Sequence, residues 1–428
     1  MIPRRFLIIL ATFSLSVLLY VDRACISTAK EPIIAALSQT DPQWLDHAWA
    51  EKRWGWIMAA FAFGYALFQT PSGAFADRLG ARRTLAAVVT LWSIFTGLTA
   101  AAWNLASLMV IRFLFGGGEA GAFPGMARVV YSWIPVKERG LVKGINFSGS
   151  RLGAAVTMPI LPWMITTLGW KQSFLLLMVI GFCWSLAWWF WFRDEPADHP
   201  GIPPEELAFI LGNRQQAGGN DQPAKPLSLG TLFGSGNLWL VMGQYFCSNF
   251  TFFFCLTWLY PYVKKTYALT AVNAGFYAMA PLLAGAVGNI FSGWLVDHLY
   301  KTGRVALSRR VPAMIGFALA ALGMVMSVGQ ESALGAILWL SLAVFGADMT
   351  LSPSWSLCID IGGKNAGAVS GTMNMAGNLG AAFVGLIFPY LLIAYGPKGF
   401  FYVGAALNVL ALGLWTLARS DRKIEEPA

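Results

Sequence analysis

Charged residues stand inside two stretches that are otherwise apolar. Asp22 and Arg23 lie near the end of the run that begins at Phe6, and Arg112 and Glu119 lie in a later run. Charges inside membrane-spanning helices are costly enough that they usually mark an ion or substrate path. A permanently cationic arginine beside protonatable carboxylates is typical of a site for an anion whose movement is tied to protons. The sequence therefore predicts such a site at these residues.

The spacing of these charges indicates how they face one another. Asp22 and Arg23 are adjacent, so on a helix they point about 100° apart and need not pair. Arg112 and Glu119 are seven residues apart, which places them on almost the same helix face, about 10 Å apart along the axis. The alternatives are an interfacial anchor at Arg23, by snorkelling, and a static ion pair between Arg112 and Glu119.

A third charge, Arg151, stands in the middle of the apolar segment around SGSRLG, next to Ser150. One interpretation is a buried partner for Asp22 or Glu119, because buried charges usually pair. The other is a second cation for an acid with two anionic groups. Further groups that suit a polyhydroxylated acid, and that we expect at a central cavity, are Tyr65, Asn249, Trp258, Tyr260, Trp355, Asn374 and Asn378.

Three more charges near predicted helix ends have more ordinary interpretations. Arg128 is expected to anchor its helix by snorkelling. Asp348 and Asp360 flank the inner end of a predicted span, where solvated helix ends are the ordinary interpretation and a gate network is the alternative.

The elements that position these residues are predicted to be membrane helices. The chain has 428 residues, of which 57% are hydrophobic and 12% charged, and its mean hydropathy is +0.58. This is too apolar for an ordinary soluble protein. A spanning helix needs about 20 mostly apolar residues, and twelve segments qualify: 6–29, 54–76, 83–102, 105–130, 141–166, 172–192, 238–263, 273–296, 311–328, 333–349, 367–395 and 400–418.

The basic residues predict the orientation of this bundle. With both termini inside, nineteen of the 30 Lys and Arg residues fall in inner segments and seven in outer ones. Inner segments of membrane proteins carry such an excess. We therefore expect cytoplasmic termini, and the net charge of +9 gives no reason to propose a nucleic-acid partner.

The chain divides into two related halves. The long polar stretch 193–236 separates an N-terminal six-helix bundle, 1–192, from a C-terminal one, 237–428. GAFADRLGARR from Gly73 and GWLVDHLYKTGR from Gly293 share a glycine, three residues, an aspartate and a basic cluster. Repeated halves are typical of rocking transporters with a midplane site.

These motifs resemble a known family. The pattern Gly73, Asp77, Arg78, Gly80, Arg82 and Arg83, with Asp297 marking a degraded copy, resembles the signature loop of the major facilitator superfamily. YVDR from Tyr20, RFLFGGGEAGAFPG, WIPVKERG, LTWLYPYV and SGTMNMAGNLG resemble its anion:cation symporter branch, which includes galactonate, glucarate and hexuronate carriers and vesicular glutamate and sialic acid transporters.

The resemblance implies roles for particular residues. It implies that Arg23 binds the substrate carboxylate, that Asp22 takes part in protonation, and that Glu119 is the principal coupling carboxylate with Arg112 as its modulator. It also implies that the loop motif and Asp297 act in conformational change. Some sugar-acid carriers of the branch have glutamine where Ser150 stands, so the resemblance does not fix the substrate.

We therefore expect an all-α membrane protein of twelve helices that imports a small organic anion together with protons. The sugar acids hexuronate, glucarate and galactonate are the expected substrates. The alternatives are an organic-anion or organophosphate exchanger, a drug exporter and a transporter-like sensor. No enzyme activity, cofactor or metal is expected. The expected partners are the anion, protons and the lipid bilayer. The expected form is a monomer in a bacterial inner membrane.

Overall fold

The computed structural model describes residues 3–214, 227–257 and 259–424. Within these ranges it is built of helices, with four short 3-10 turns. The α-helices are α1 (Arg4–Thr28), α2 (Lys30–Ser38), α3 (His47–Leu79), α4 (Ala81–Thr99), α5 (Leu105–Glu119), α6 (Ala122–Trp133), α7 (Arg139–Leu168), α8 (Trp170–Trp191), α9 (Pro204–Asn213), α10 (Leu229–Gly234), α11 (Gly236–Thr257), α12 (Leu259–Thr266), α13 (Ala271–Lys301), α14 (Val305–Met326), α15 (Ala333–Met349), α16 (Leu351–Gly362) and α17 (Ala366–Leu417).

The predicted spans correspond to these helices, with four differences. The seventh span, 238–263, runs over two helices, α11 and α12. The fourth span comprises two helices, α5 and α6, which meet directly after Glu119. The tenth is followed by an unpredicted helix, α16. The last two form one long run, α17, in which two helices meet at a kink at Gly396. Gly396 has φ 66°, a left-handed value that glycine adopts without strain.

Hydropathy does not mark all crossings equally. Among the residues that the structure describes, eight helical stretches are long and apolar enough to cross a membrane by length and composition, and α3, α4 and α7 are not among them. Helix α7 carries Arg139, Lys143 and Arg151, all buried. Helices that face the interior of a bundle hold the charges that lipid-facing helices lack, which explains their lower hydropathy.

The outside of the bundle is apolar and its interior holds the polar groups. Large side chains such as Phe63, Phe190 and Leu338 are 62–70% exposed, as expected of a surface that faces lipid. In contrast, Asp22, Arg112 and Glu119 are at most 2% exposed. The halves meet chiefly where α3 packs along α17 and α7 along α13.

The segment between the halves docks on the beginning of α1. Glu206 of α9 accepts hydrogen bonds from the backbone N–H groups of Arg4 and Arg5 at 2.8 and 2.9 Å, and the Arg4 side chain donates to the Gly201 carbonyl at 2.7 Å. A carboxylate there satisfies N–H groups that have no partner within the helix. We call this face of the bundle, where α1 begins and α17 ends, the termini side.

Candidate substrate site between the halves

A polar cavity lies between the halves, where α1, α3, α6 and α7 face α11, α15, α16 and α17. Its free volume is about 30 Å³, so the polar side chains around it lie close together. The residues that line it are Tyr20, Arg23, Tyr65, Phe123, Phe147, Arg151, Tyr245, Ser248, Asn249, Phe252, Phe253, Asp348, Leu351, Asn374 and Asn378.

Arg23 pairs with Glu119 at the edge of this cavity. The Arg23 Nε donates to Glu119 Oε1 at 2.6 Å. The guanidinium carbon lies 4.4 Å from the ring centroid of Tyr65 and 5.2 Å from that of Tyr20, distances at which cation–π attraction operates. The second carboxylate oxygen of Glu119 is buried without a hydrogen-bond partner. The aromatic rings therefore hold Arg23 in place whether or not Glu119 carries charge.

Asp22 and Arg112 lie behind this pair. Both carboxylate oxygens of Asp22 are buried and make no well-formed hydrogen bond, with the Trp92 side chain as a polar neighbour and the charges of Glu119 and Arg112 acting on the carboxyl group. The Arg112 guanidinium stacks instead on Phe115 and Phe61, at 4.3 and 5.0 Å from their ring centroids. Two carboxyl groups and two arginines thus share one buried cluster. A buried carboxylate without a hydrogen bond is strongly unfavourable in its charged form.

Arg151 does not pair with Asp22 or Glu119, which corrects the first interpretation of this residue. Its Nε and Nη2 donate to the two carboxylate oxygens of Asp348, at 2.7 and 2.5 Å. This ion pair joins α7 of the first half to α15 of the second. Asp348 is only 1% exposed, so it is not a solvated helix end either. An arginine in the middle of a span needs a buried counter-charge. Asp348, at the end of another span, was the residue in the sequence that could have indicated this partner.

The structure brings only some of the other predicted side chains to the cavity. Tyr65, Asn249, Asn374 and Asn378 line it. Trp355 does not: it lies behind the wall, where its indole N–H donates to the Tyr245 hydroxyl at 2.9 Å.

Ser150, another predicted residue, is not among the residues that line the cavity. Ser150 is fully buried with an unpaired hydroxyl. Trp258 lies outside the described residues, as does the side chain of Tyr260. Sequence reasoning missed Tyr245 and Phe252, because a buried aromatic residue in a span carries no distinguishing signal.

The repeated glycine-aspartate motif closes the termini side symmetrically. Asp77 accepts the backbone N–H groups of Gly367 and Ala368 at 2.9 and 2.8 Å, at the beginning of α17. Asp297 accepts those of Gly140 and Leu141 at 2.9 and 2.8 Å, at the beginning of α7. Each carboxylate therefore caps a helix of the opposite half, where N–H groups and the helix dipole favour a negative charge.

The glycine of each motif permits this contact. A Cβ added at Gly73 would overlap the Gly367 carbonyl oxygen, and one at Gly293 would overlap that of Gly140. Without side chains the helix backbones approach closely. The same face carries a buried charge group in which Asp360 pairs with Arg309 at 2.8 Å and with Arg139 at 3.6 Å.

The rest of the predicted loop motif stabilises the first half itself. Asp194 accepts the backbone N–H of Arg82 at 2.9 Å, and burial raises the pKa of the Asp194 carboxyl. Arg82 also donates from Nε to the Trp189 carbonyl at 2.8 Å. Gly80 has φ 82° at the turn, while Arg78 and Arg83 are exposed.

Arg128 contributes to the same region, because its charge acts on both Asp77 and Asp194. This goes beyond the anchoring that the sequence favoured. Within the described ranges no three His, Cys, Asp or Glu side chains cluster as metal ligands.

A bundle of helices with an apolar outer surface and a charged cavity between two related halves is typical of a membrane carrier. Comparison with known proteins agrees. Residues 12–385 match the family model of the Major Facilitator Superfamily. The chain belongs to this superfamily, and it is a transporter rather than an enzyme, as the sequence predicted.

Relatives indicate the branch. The chain is 33% identical to a probable sulfoacetate transporter of Cupriavidus necator, over 95% of this chain and 94% of the relative. It is 30% identical to a probable galactarate/D-glucarate transporter of Escherichia coli K12, over 90% and 88%. The solved proton:xylose symporter is similar in fold, with a TM-score of 0.76 at 18% identity, covering 99% of this chain and 98% of that one. The sulfoacetate and galactarate/D-glucarate transporters confirm the resemblance to organic-anion carriers.

Proposed function

We propose that this protein is a proton-coupled symporter that imports a small organic anion by alternating access. The substrates that we propose are sugar acids, such as a glucarate, a galactonate or a hexuronate. The observation that carries the proposal is the Arg23–Glu119 pair, which lies at the cavity with the unpartnered carboxylate of Asp22 close by.

The coupling follows from competition for one arginine. In the described conformation Glu119 occupies the Nε of Arg23. A proton on Glu119 removes its charge, and Arg23 then attracts the carboxylate of an incoming anion instead. A guanidinium suits that task because it makes two parallel hydrogen bonds to a carboxylate. Asp22 takes up a proton in the same step, and Arg112 tunes the charge of the cluster.

The polar lining serves the rest of the substrate. Asn249, Asn374 and Asn378 offer amide groups, and Tyr65 and Tyr20 offer aromatic faces and hydroxyl groups around the same space. Hydroxyl groups of a sugar acid need hydrogen-bond partners when they leave water. Amides and phenols provide both donors and acceptors, so this lining suits a polyhydroxylated chain.

The contacts on the termini side determine which movement must release the substrate in the proposed cycle. The contacts of Asp77 and Asp297 close that side, so the halves must rock and break both caps to release substrate there. We place this side in the cytoplasm, on the charge distribution of the loops. Substrate must bind the two conformations differently, since equal binding shifts no equilibrium.

The test is uptake of labelled sugar acids and short dianions into liposomes, with and without an inward proton gradient. We expect the gradient to drive accumulation of one acid. Glu119→Gln should lose that accumulation but keep counterflow exchange, because a neutral side chain mimics the protonated carrier. Glu205→Gln on α9, at an exposed glutamate, is the matched control and should behave as the parent protein.

Other outcomes favour the alternatives. Exchange without accumulation in the parent protein would indicate an organic-anion exchanger, and export of lipophilic compounds a drug exporter. Exchange of phosphate esters would indicate an organophosphate carrier, although the sequence has no Arg between Pro226 and Gly303, so the seventh span cannot supply a matching arginine. Any of these results would overturn the symport mechanism.

A further inference from the structure

The cavity contains a second arginine whose partner lies in the opposite half. Arg151 of α7 and Asp348 of α15 both line the cavity, and they form a two-pronged ion pair with distances of 2.7 and 2.5 Å. The Arg151 guanidinium is also fixed from one side by Phe252, whose ring centroid lies 3.4 Å from the guanidinium carbon. The cation is therefore held at the cavity wall independently of Asp348.

Tyr20 connects this arginine to the first one. Arg151 Nη1 donates to the Tyr20 hydroxyl at 3.4 Å, and the guanidinium carbons of Arg151 and Arg23 lie 5.9 and 5.2 Å from the Tyr20 ring centroid. Both cations thus lie beside a single phenol ring, and the distance between them is at most the sum of these two distances. A short carbon chain with an anionic group at each end can span such a distance.

Each arginine is covered by a protein carboxylate in this conformation. Glu119 covers Arg23 from within the same half, and Asp348 covers Arg151 from the other half. A carboxylate or sulfonate of a substrate presents oxygens of the same charge and similar geometry to the guanidinium fork. The protein carboxylates therefore occupy the places where substrate anions would bind.

We propose that the Arg151–Asp348 pair is a second anion subsite, in which the distal anionic group of an organic dianion displaces Asp348 from Arg151. This inference rests on the proposed function and narrows its substrate class to dicarboxylates and sulfocarboxylates. Binding of the second anionic group also changes the contact between the two halves. Displacement breaks a buried ion pair between the halves, so a dianion loosens their contact and a monoanion does not.

Gly285 leaves room for the Asp348 side chain beside α13. A Cβ at Gly285 would overlap the Asp348 carboxylate, which shows that Asp348 rests directly on the backbone of α13. The released carboxylate remains at this face, and its loss of a counter-ion makes it a further acceptor for a proton. The charge that the dianion brings is balanced in this way.

The test measures binding of matched acids to the purified protein in nanodiscs by calorimetry. The probes are glucarate against gluconate, and sulfoacetate against acetate, so each pair differs by one anionic group. We expect the parent protein to bind the dianion at least about tenfold more tightly, the contribution of about one charge-assisted hydrogen bond. Asp348→Asn should increase this preference, because the competing carboxylate is gone.

The double variant Arg151→Gln/Asp348→Asn removes both charges and avoids leaving either buried alone, which protects folding. The dianion preference should fall by about tenfold in it. The control is Arg214→Gln/Glu195→Gln, which neutralises an ion pair of 2.6 Å outside the cavity and should keep the parent preference.

The outcomes separate this inference from the proposed function. An unchanged preference in the double variant, or a loss of dianion binding in Asp348→Asn, would overturn the second subsite while leaving an Arg23-dependent acid carrier. Equal affinity of the parent protein for dianion and monoanion would do the same. If the parent protein binds none of these acids, the second subsite is overturned, and the uptake test with galactonate and hexuronates decides the proposed function.

Discussion

At the scale of single residues, the described conformation shows two arginines at one cavity, each bound to a carboxylate. The difference between them is where the carboxylate comes from. Glu119 belongs to the same half as Arg23, whereas Asp348 and Arg151 belong to different halves. Protonation of Glu119 therefore changes the charge of the site locally, and separation of Asp348 from Arg151 changes the contact between the halves.

Arg23→Lys tests whether the shape of the cation matters as well as its charge. A lysine keeps the charge but loses the planar fork. We expect substrate binding to weaken by about 10- to 100-fold, since hydrogen bonds to charged groups contribute about 1.5–3 kcal/mol. Calorimetry with the transported acid measures this. Arg53→Lys, at an Arg53–Asp41 ion pair of 2.7 Å outside the cavity, serves as the control; equal weakening in both variants would contradict a specific role for Arg23.

At the scale of helices, two caps related by the internal repeat join the halves on the termini side. Asp77 and Asp297 each contact the second and third residues of a helix in the opposite half. Helix ends leave these N–H groups without intrahelical partners. The caps are therefore contacts that exist only while the halves are together, which is what a gate requires.

Asp77→Asn and Asp297→Asn should each expose the helix that the carboxylate caps. Asparagine keeps one acceptor oxygen and loses the other. Loss of that hydrogen bond costs about 0.5–2 kcal/mol, so amide hydrogen exchange should accelerate by about 2- to 30-fold, in residues 366–370 for Asp77→Asn and in residues 139–143 for Asp297→Asn. Mass spectrometry of these peptides measures it.

Asp41→Asn is the control. Asp41 caps the 3-10 turn Pro42–Leu45, which precedes α3 and lies at the end of that helix opposite to Asp77, so hydrogen exchange in both peptides should be unchanged. Acceleration in neither aspartate variant would show that the caps do not hold the gate closed.

At the scale of the whole molecule, the charge distribution predicts which way the bundle lies in the membrane. The termini side carries the segment between the halves and most of the loop arginines, and such loops remain in the cytoplasm. Import then requires that the cavity open first on the opposite side, while the caps of Asp77 and Asp297 remain closed.

Epitope tags test this orientation in intact cells. A tag after Ala428 should be inaccessible to a membrane-impermeant antibody or label, and a tag inserted after the exposed Thr40 should be accessible. Permeabilised cells, in which both tags must react, provide the control. Labelling of the C-terminal tag in intact cells would invert the assignment and turn the proposed import into export.

The sequence by itself determined the fold class and the location of much of the site. Apolar length gave the spans, because the hydrocarbon core sets a minimum helix length, and the boundaries agree with α1, α8 and α15 to within about two residues. Mid-span charges pointed to the cavity, since lipid excludes them. The motif repeat at Gly73 and Gly293 predicted two halves. These properties are local, so a sequence displays them directly.

Only the tertiary structure decided which charges meet. Arg23 and Glu119 are 96 residues apart, and Arg151 and Asp348 are 197 apart. Helix periodicity relates residues within one element, but it contains no information about which faces of distant helices pack together. For that reason the sequence left Arg151 with the wrong partners, placed Trp355 at the cavity it only supports, and gave no sign that Asp77 and Asp297 cap helices of the opposite half.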